Sequence, residues 1–89
     1  MLMFRDIDAD YLIGAYADIA DRTVAKGSYT SGGPYCCPAV RIVARSVLSH
    51  TVPSTAFRGF GNPQQIWATE SNMDDAARQL GIDPLELRL

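Results

Sequence analysis

Histidine occurs once, at position 50, and the only cysteines, Cys36 and Cys37, are neighbours in the chain. Adjacent cysteines rarely bridge each other, because the disulfide's Cβ geometry strains the peptide between them. With no second pair there is neither a disulfide framework nor a zinc-ligand spacing. Two small, half-buried thiols in a reducing compartment are the favoured reading, ahead of a redox or metal role. His50 reads as a polar residue at a strand end. Basic residues are not in excess: 8 Lys and Arg stand against 10 Asp and Glu, for a net charge of −2. Neutralising phosphates needs a basic face, so nucleic acid is set aside as the main partner, even with Arg41, Arg45 and Arg58 interleaved with aromatics. No apolar run approaches the length of a membrane span. The opening Met1-Leu2-Met3-Phe4-Arg5-Asp6 lacks a charged segment followed by an apolar one, so no secretory signal is read and the expected compartment is the cytoplasm. Aromatics make up 9% of the chain and hydrophobic residues 47%, which suits a folded rather than a disordered polypeptide.

What is present fits one small domain or a piece of a larger one, since 89 residues bury a modest fraction of their surface. The chain is organised around Thr55-Ala56-Phe57-Arg58-Gly59-Phe60-Gly61-Asn62-Pro63-Gln64. Two glycines flank Phe60 and allow a positive φ or a close backbone approach. Two aromatic rings and a guanidinium sit where a turn would normally carry small polar residues. Asn62-Pro63 reads as the N-cap and first position of a helix, with free N–H groups facing the loop. Such a loop presents backbone donors, a planar cation and a flat apolar face.

Along the rest of the chain, Asp6, Asp8 and Asp10 alternate, as on a solvated strand edge. An extended segment is expected near residues 9–17, broken at Gly14. A short helix follows near 19–27, with Asp18 as N-cap, Asp21 at N3, and Ile19, Thr23 and Val24 on its buried side. Residues 28–38 read as irregular. Gly32-Gly33 could form an anion nest, but the lysine and helix start of a phosphate-binding loop are missing. Residues 39–51 form the best strand, with Val40, Ile42, Ala44 and Leu48 on its core face and Arg41 and Arg45 opposite. The helical period is clear over 63–80, where Ile66, Met73, Ala77 and Leu80 share a stripe flanked by Trp67, while Asp74, Asp75 and Arg78 face solvent. Glu70 sits in that stripe, and a carboxylate there must be paired or hydrogen-bonded. It reads as a clamp that accepts loop amides or pairs an arginine and braces the loop from behind. A catalytic acid or base would need a second titratable group placed with it. Gly81 ends the helix. Asp83-Pro84-Leu85-Glu86 restarts one over 84–88, with Asp83 as N-cap and Glu86 closing a capping box.

Several of these segments stand in a recognisable order: Gly14-Ala15-Tyr16-Ala17-Asp18, Gly33-Pro34-Tyr35 with Pro38, Ala56-Phe57-Arg58-Gly59-Phe60-Gly61-Asn62-Pro63-Gln64, Glu70, Met73-Asp74, and Gly81-Ile82-Asp83-Pro84-Leu85-Glu86-Leu87-Arg88. Together they resemble the molybdopterin-binding domain of the xanthine dehydrogenase and aldehyde oxidase family, the molybdenum hydroxylases. The resemblance covers residues 14–89 and leaves residues 1–13 unassigned. It implies part of a large subunit that binds a molybdenum–molybdopterin cofactor and hydroxylates carbon with water as the oxygen source. It also implies partner domains or subunits carrying iron–sulfur clusters and FAD, and an aromatic, heterocyclic or aldehyde substrate. Carried over by position, the backbone of Arg58 lies at the molybdenum centre, Ala56, Phe57 and Gly59 line the same cofactor-binding turn, and Phe60 packs on the substrate ring. The family's catalytic glutamate, its glycine-rich cofactor segment and its cluster cysteines have no counterpart here, and Cys36 and Cys37 replace aliphatic or polar residues. No catalytic residue is therefore assigned, and turnover by the isolated chain is not expected.

The expected fold is α+β: a partial molybdopterin-binding domain with one or two strands, two helices and a helical C-terminal start. So few strands leave a sheet incomplete and apolar faces exposed. The alternative is a non-catalytic remnant or small interaction domain that uses Phe57 and Phe60 as a protein-binding patch.

Overall fold

The computed structural model describes residues 2–89; Met1, read above with the opening segment, lies outside them. The chain runs β1 (Phe4–Gly14), α1 (Ala20–Thr30), β2 (Ala39–Leu48), α2 (Asn62–Leu80) and α3 (Pro84–Arg88). β1 and β2 pair in parallel, with α1 as the crossover between them. The fold is α+β, built on this single βαβ unit.

The alternation of β1 sorts its residues by face. Arg5, Ile7, Ala9, Tyr11 and Ile13 are the more buried set, and Phe4, Asp6, Asp8, Asp10 and Leu12 are exposed. The register carries this across the sheet: Ile7 stands beside Ile42, Ala9 beside Ala44 and Asp6 beside Arg41. The Val40 face of β2 lies on the same side as the more buried residues of β1, but of its predicted core residues only Ala44 packs against the core of Ile13, Ala20 and Val24; Val40, Ile42 and Leu48 are exposed, because α1 alone covers that side. On the open side Arg41 pairs with Asp6 at 2.8 Å, and Arg45 bridges Asp8 and Asp10, the latter at 2.9 Å. The alternating acids thus form a cross-strand ion ladder on a sheet face, where the sequence suggested an edge.

Element limits differ from expectation in ways that have local causes. β1 begins at Phe4 and stops at Gly14, because β2 supplies partners along that stretch, with a shift in register between Leu12 and Gly14; the 9–17 estimate caught only its end. α1 runs on to Thr30, past the expected limit at Gly27. Residues 28–30 are helical rather than irregular, and the side chains of Ser28 and Thr30 donate to the Val24 and Gly27 carbonyls at 2.7 and 3.0 Å. Its N-cap is Ile19, without a side-chain cap bond, while Asp18 takes φ 43°. β2 ends at Leu48, not 51, because the chain then bends to stitch itself to the end of β1: Ser49 N donates to Gly14 O at 3.0 Å, Ala15 N to Thr51 O at 3.1 Å and Ser54 N to Ile13 O at 2.9 Å. His50 lies in that bend.

α2 is capped by Gly61 at φ 88°, so Asn62 is its first residue rather than its cap, and the Asn62 side chain instead accepts from Thr30 Oγ1 at 2.9 Å. The helix buries Thr69, Met73 and Ala77. Ile66 and Leu80, predicted for the same stripe, are 47% and 66% exposed, and Trp67, predicted for the core, is 74% exposed. The apolar stripe is wider than the surface that α1 and α3 offer it. Thr69 Oγ1 donates to Ser31 O at 3.0 Å and fixes α2 against the end of α1. Gly81 closes α2 at φ 69°, with Ile82 N reaching Ala77 O at 3.1 Å. Asp83 caps α3 as read, accepting from Leu85 N at 2.8 Å and Glu86 N at 3.3 Å.

Candidate functional site

The connection from β2 to α2 is extended and irregular until Gly59, Phe60 and Gly61, which take φ of 96°, 54° and 88° in succession. The two glycines are required by contact as well as by angle. A Cβ on Gly61 would lie 2.8 Å from Thr23 O, and one on Gly59 would lie 2.7 Å from the Pro63 ring. Gly27 completes the close approach of α1, since a Cβ there would meet the Tyr11 hydroxyl at 2.8 Å and Gly61 O at 3.4 Å. Tyr11 in turn donates to Gln65 Oε1 at 2.7 Å, which ties the end of β1 to the first turn of α2. Burial raises the Tyr11 pKa, so this hydroxyl stays a donor.

Between this loop and the end of β1 lies a cavity of about 790 Å³. Its walls include Tyr11, Thr23 and Val24 on one side and Phe57, Arg58 and Gly59 on the other. Among the described residues, no backbone amide from residue 55 to residue 61 donates to a protein acceptor, and Arg58 makes no ion pair. A row of N–H groups without protein acceptors beside an unpaired guanidinium leaves donors available to an anionic or strongly accepting group.

Of the residues singled out in the sequence, Phe57, Arg58 and Gly59 line this cavity; Ala56 and Phe60 do not, and both are half-buried. Thr55 and Gln64, the ends of the stretch singled out in the sequence, line it too, and Tyr11, Thr23 and Ser54 line it without having been anticipated. For Tyr11 a signal existed: it is the polar-tipped aromatic on the covered face of β1, two residues before Ile13. Thr23 is brought in by the α1 crossover and Ser54 by its backbone bond to Ile13, and no local pattern reports either.

Glu70 is a clamp, but not for this loop. Tyr35 Oη donates to its carboxylate at 2.7 Å, and Arg88 Nε donates at 3.0 Å. Arg88 also reaches Asp74 Oδ1 at 2.7 Å and Glu70 O at 3.2 Å. The arginine pairing was predicted; bracing of the 56–64 loop is corrected, because Glu70 holds the Tyr35 turn and α3 instead. Its neighbours Asp74 and Glu70 raise the Arg88 pKa further above its already basic value. Burial and the bond to Glu70 raise that of Tyr35. Asp74, expected on the solvated face, is exposed yet joins this network; Asp75 pairs with Arg78 in solvent.

The family model of the molybdopterin cofactor-binding domain matches residues 2–89. The chain is 39% identical over 84 residues to an aldehyde oxidoreductase of Megalodesulfovibrio gigas, covering 92% of this chain and 9% of that protein. It is 38% identical over 76 residues to the nicotinate dehydrogenase large molybdopterin subunit of Eubacterium barkeri, covering 85% of this chain and 18% of that one. The solved structure of an aldehyde oxidoreductase from Desulfovibrio gigas superposes with a TM-score of 0.79 at 38% identity, over 93% of this chain and 10% of that chain. The present chain therefore spans less than a fifth of the length of these relatives. Sequence and fold agree, and the chain belongs to the molybdopterin cofactor-binding domain family.

Proposed function

We propose that this chain forms one wall of the molybdenum–molybdopterin site of a molybdenum hydroxylase, with residues 55–61 as the cofactor-facing loop. The observation that carries the reading is the row of unpaired amides from residue 55 to residue 61 beside the free Arg58 guanidinium, at the edge of a 790 Å³ cavity. Those donors fit a group whose oxo and phosphate oxygens are acceptors, and the rings of Tyr11 and Phe57 fit a planar heterocycle. The cofactor, when bound, supplies the redox chemistry of carbon hydroxylation with water as the oxygen source. The chain's own residues bind and orient. The Arg58 amide would meet the metal's ligand sphere, with Phe57 and Gly59 lining the same turn; Ala56 and Phe60, outside the cavity, would shape that turn and offer a face to a planar substrate from beyond it. The positive φ of residues 59–61 holds the amides in place without side chains that would block approach. Iron–sulfur and FAD partners, an aromatic, heterocyclic or aldehyde substrate, and a cytoplasmic location belong to the same proposal. Among the described residues, no helix is long and apolar enough to cross a membrane.

The test uses the protein as its own cells make it. Gly59→Val introduces a Cβ against Pro63 and disturbs the row of amides. Molybdenum measured by mass spectrometry and pterin released by acid should both fall at least tenfold, while Asp75→Ala, in the solvent-facing ion pair of α2, keeps both. Full metal and pterin content in folded Gly59→Val would reject the loop as a cofactor wall. The second reading, an interaction module without catalysis, rests on Phe57 being 92% exposed. Native mass spectrometry separates the two: iron–sulfur and flavin partners favour the first, and a lone or unrelated assembly the second.

A further inference from the structure

Cys36 and Cys37 lie on the connection between α1 and β2, and neither takes part in the cofactor-facing cavity. Cys36 is exposed and Cys37 half-buried. The connection is fixed at both ends. Before the pair, the Tyr35 hydroxyl is anchored on Glu70 at 2.7 Å. After it, Ala39 opens β2 beside Phe4, and the Cys37 thiol donates to Ala39 O at 3.3 Å. Between these anchors the amides of Tyr35, Cys36 and Cys37 donate to no acceptor among the described residues, and Pro38 has no N–H. The two cysteines can therefore turn about their backbone bonds without breaking a backbone hydrogen bond.

The donor set selects the ligand. Among the described residues no group of three His, Cys, Asp or Glu side chains is placed to hold a metal ion. Two sulfurs alone do not complete a zinc site, which takes four ligands. A direct disulfide would force the sulfurs to about 2.05 Å and strain the peptide between them. A trivalent arsenic atom with one carbon substituent needs two thiolates and no more, and as an inserted atom it lets the sulfurs stand further apart. We propose that Cys36 and Cys37 form a vicinal-dithiol site for soft, thiophilic electrophiles of the monosubstituted arsenic(III) class. The two thiols condense with R–As(OH)2: two S–H and two As–O bonds break, two As–S bonds form, and two waters leave. Arsenic stays trivalent and both sulfurs keep their oxidation state, so no oxidant or reductant is needed.

The experiment treats the full chain, kept reduced, with phenylarsine oxide and maps the peptide that carries both cysteines by mass spectrometry. The wild type should carry one phenylarsenic on that peptide, and both thiols should resist iodoacetamide together. The adduct should survive excess glutathione and be stripped by excess 2,3-dimercaptopropanol. Cys36→Ser and Cys37→Ser should each lose the adduct to glutathione, with circular dichroism showing that the fold is kept. Loss of arsenic from the wild type to glutathione as readily as from the single variants would overturn the site. So would a wild-type chain in which one thiol stays open to iodoacetamide, a result that needs no variant to fold.

Discussion

Single backbone angles decide the loop. Gly61 combines φ 88° with a carbonyl 2.8 Å from the place a Cβ would occupy, so an L side chain there meets both strain and contact. Gly61→Ala should destabilise the chain by about 1–3 kcal/mol, read from the urea midpoint. Gly32, where nothing lies within 4 Å of a built Cβ and φ is not positive, is the control: Gly32→Ala should shift the midpoint far less. Equal shifts would show that the crossing of α1 and the loop is looser than described. Titration gives a second prediction at this scale. Tyr35 and Tyr11 both have pKa values raised above the ordinary 10.0, Tyr35 by burial and its bond to Glu70, Tyr11 by burial. A raised folded pKa means that the protonated form is favoured by folding. Their contribution is complete below pH 10.0 and is lost as pH climbs through the folded values. The thermal midpoint should thus fall on the alkaline side, and Tyr35→Phe should flatten part of that fall. An unchanged alkaline slope in Tyr35→Phe would remove the tyrosine from the clamp.

Elements were legible where their signals are local. The caps at Gly81 and Asp83, the start of β2 at Ala39 and the end of α2 at Leu80 all follow from residues adjacent to them. What the sequence obscured was set by partners distant in the chain. Residues 4–10 carry alternating acids that look like a solvated edge until Arg41 and Arg45 arrive from β2, and α2 carries an apolar stripe wider than its partners cover. Trp67 is exposed for that reason, and Glu70 turned away from the loop because Tyr35 and Arg88 reach it first. In the loop, the donors, cation and aromatic faces were readable from the residues and the roles of Phe57, Arg58 and Gly59 only from the family resemblance, whereas the opposite wall depends on the α1 crossover. The ion ladder makes its own prediction. Its side chains are half to three-fifths exposed around Arg45, so each pair is worth little alone. Arg45→Glu replaces attraction by repulsion from Asp8 and Asp10 and should cost about 0.5–1 kcal/mol at low salt. The loss should shrink toward zero in 1 M salt, where the screening length is about 3 Å. A salt-independent loss would mean that Arg45 acts by packing rather than by charge.

The whole molecule carries more surface than its mass requires. Its accessible area is 6407 Å², against about 5100 Å² for a self-contained protein of 9.7 kDa. Its radius of gyration is 14.8 Å, against about 12 Å for a compact chain of this length. The excess of roughly 1300 Å² exceeds the roughly 800 Å² that one partner contributes to a standard interface. Its chemistry is apolar as well as extensive. Phe57, Tyr29, Val52 and Trp67 are 74–92% exposed, and a parallel pair of strands, an arrangement normally covered on both faces, has one face open. Among the described residues, the buried hydrophobic core is limited to Ile13, Ala20, Val24, Met73 and Ala77. A core that small and an uncovered surface that large point to a chain whose packing is completed by further polypeptide. The 89 residues in isolation should therefore bind the dye ANS, unfold over a broad urea range and self-associate as concentration rises in sedimentation velocity, and they should retain no stoichiometric molybdenum. Trp67→Lys and Phe57→Lys, which place charge on the uncovered surface without touching the core, should reduce both dye binding and association. A sharp, concentration-independent transition of a monomer that ignores ANS would show instead that the small core suffices and that the exposed rings are ordinary surface.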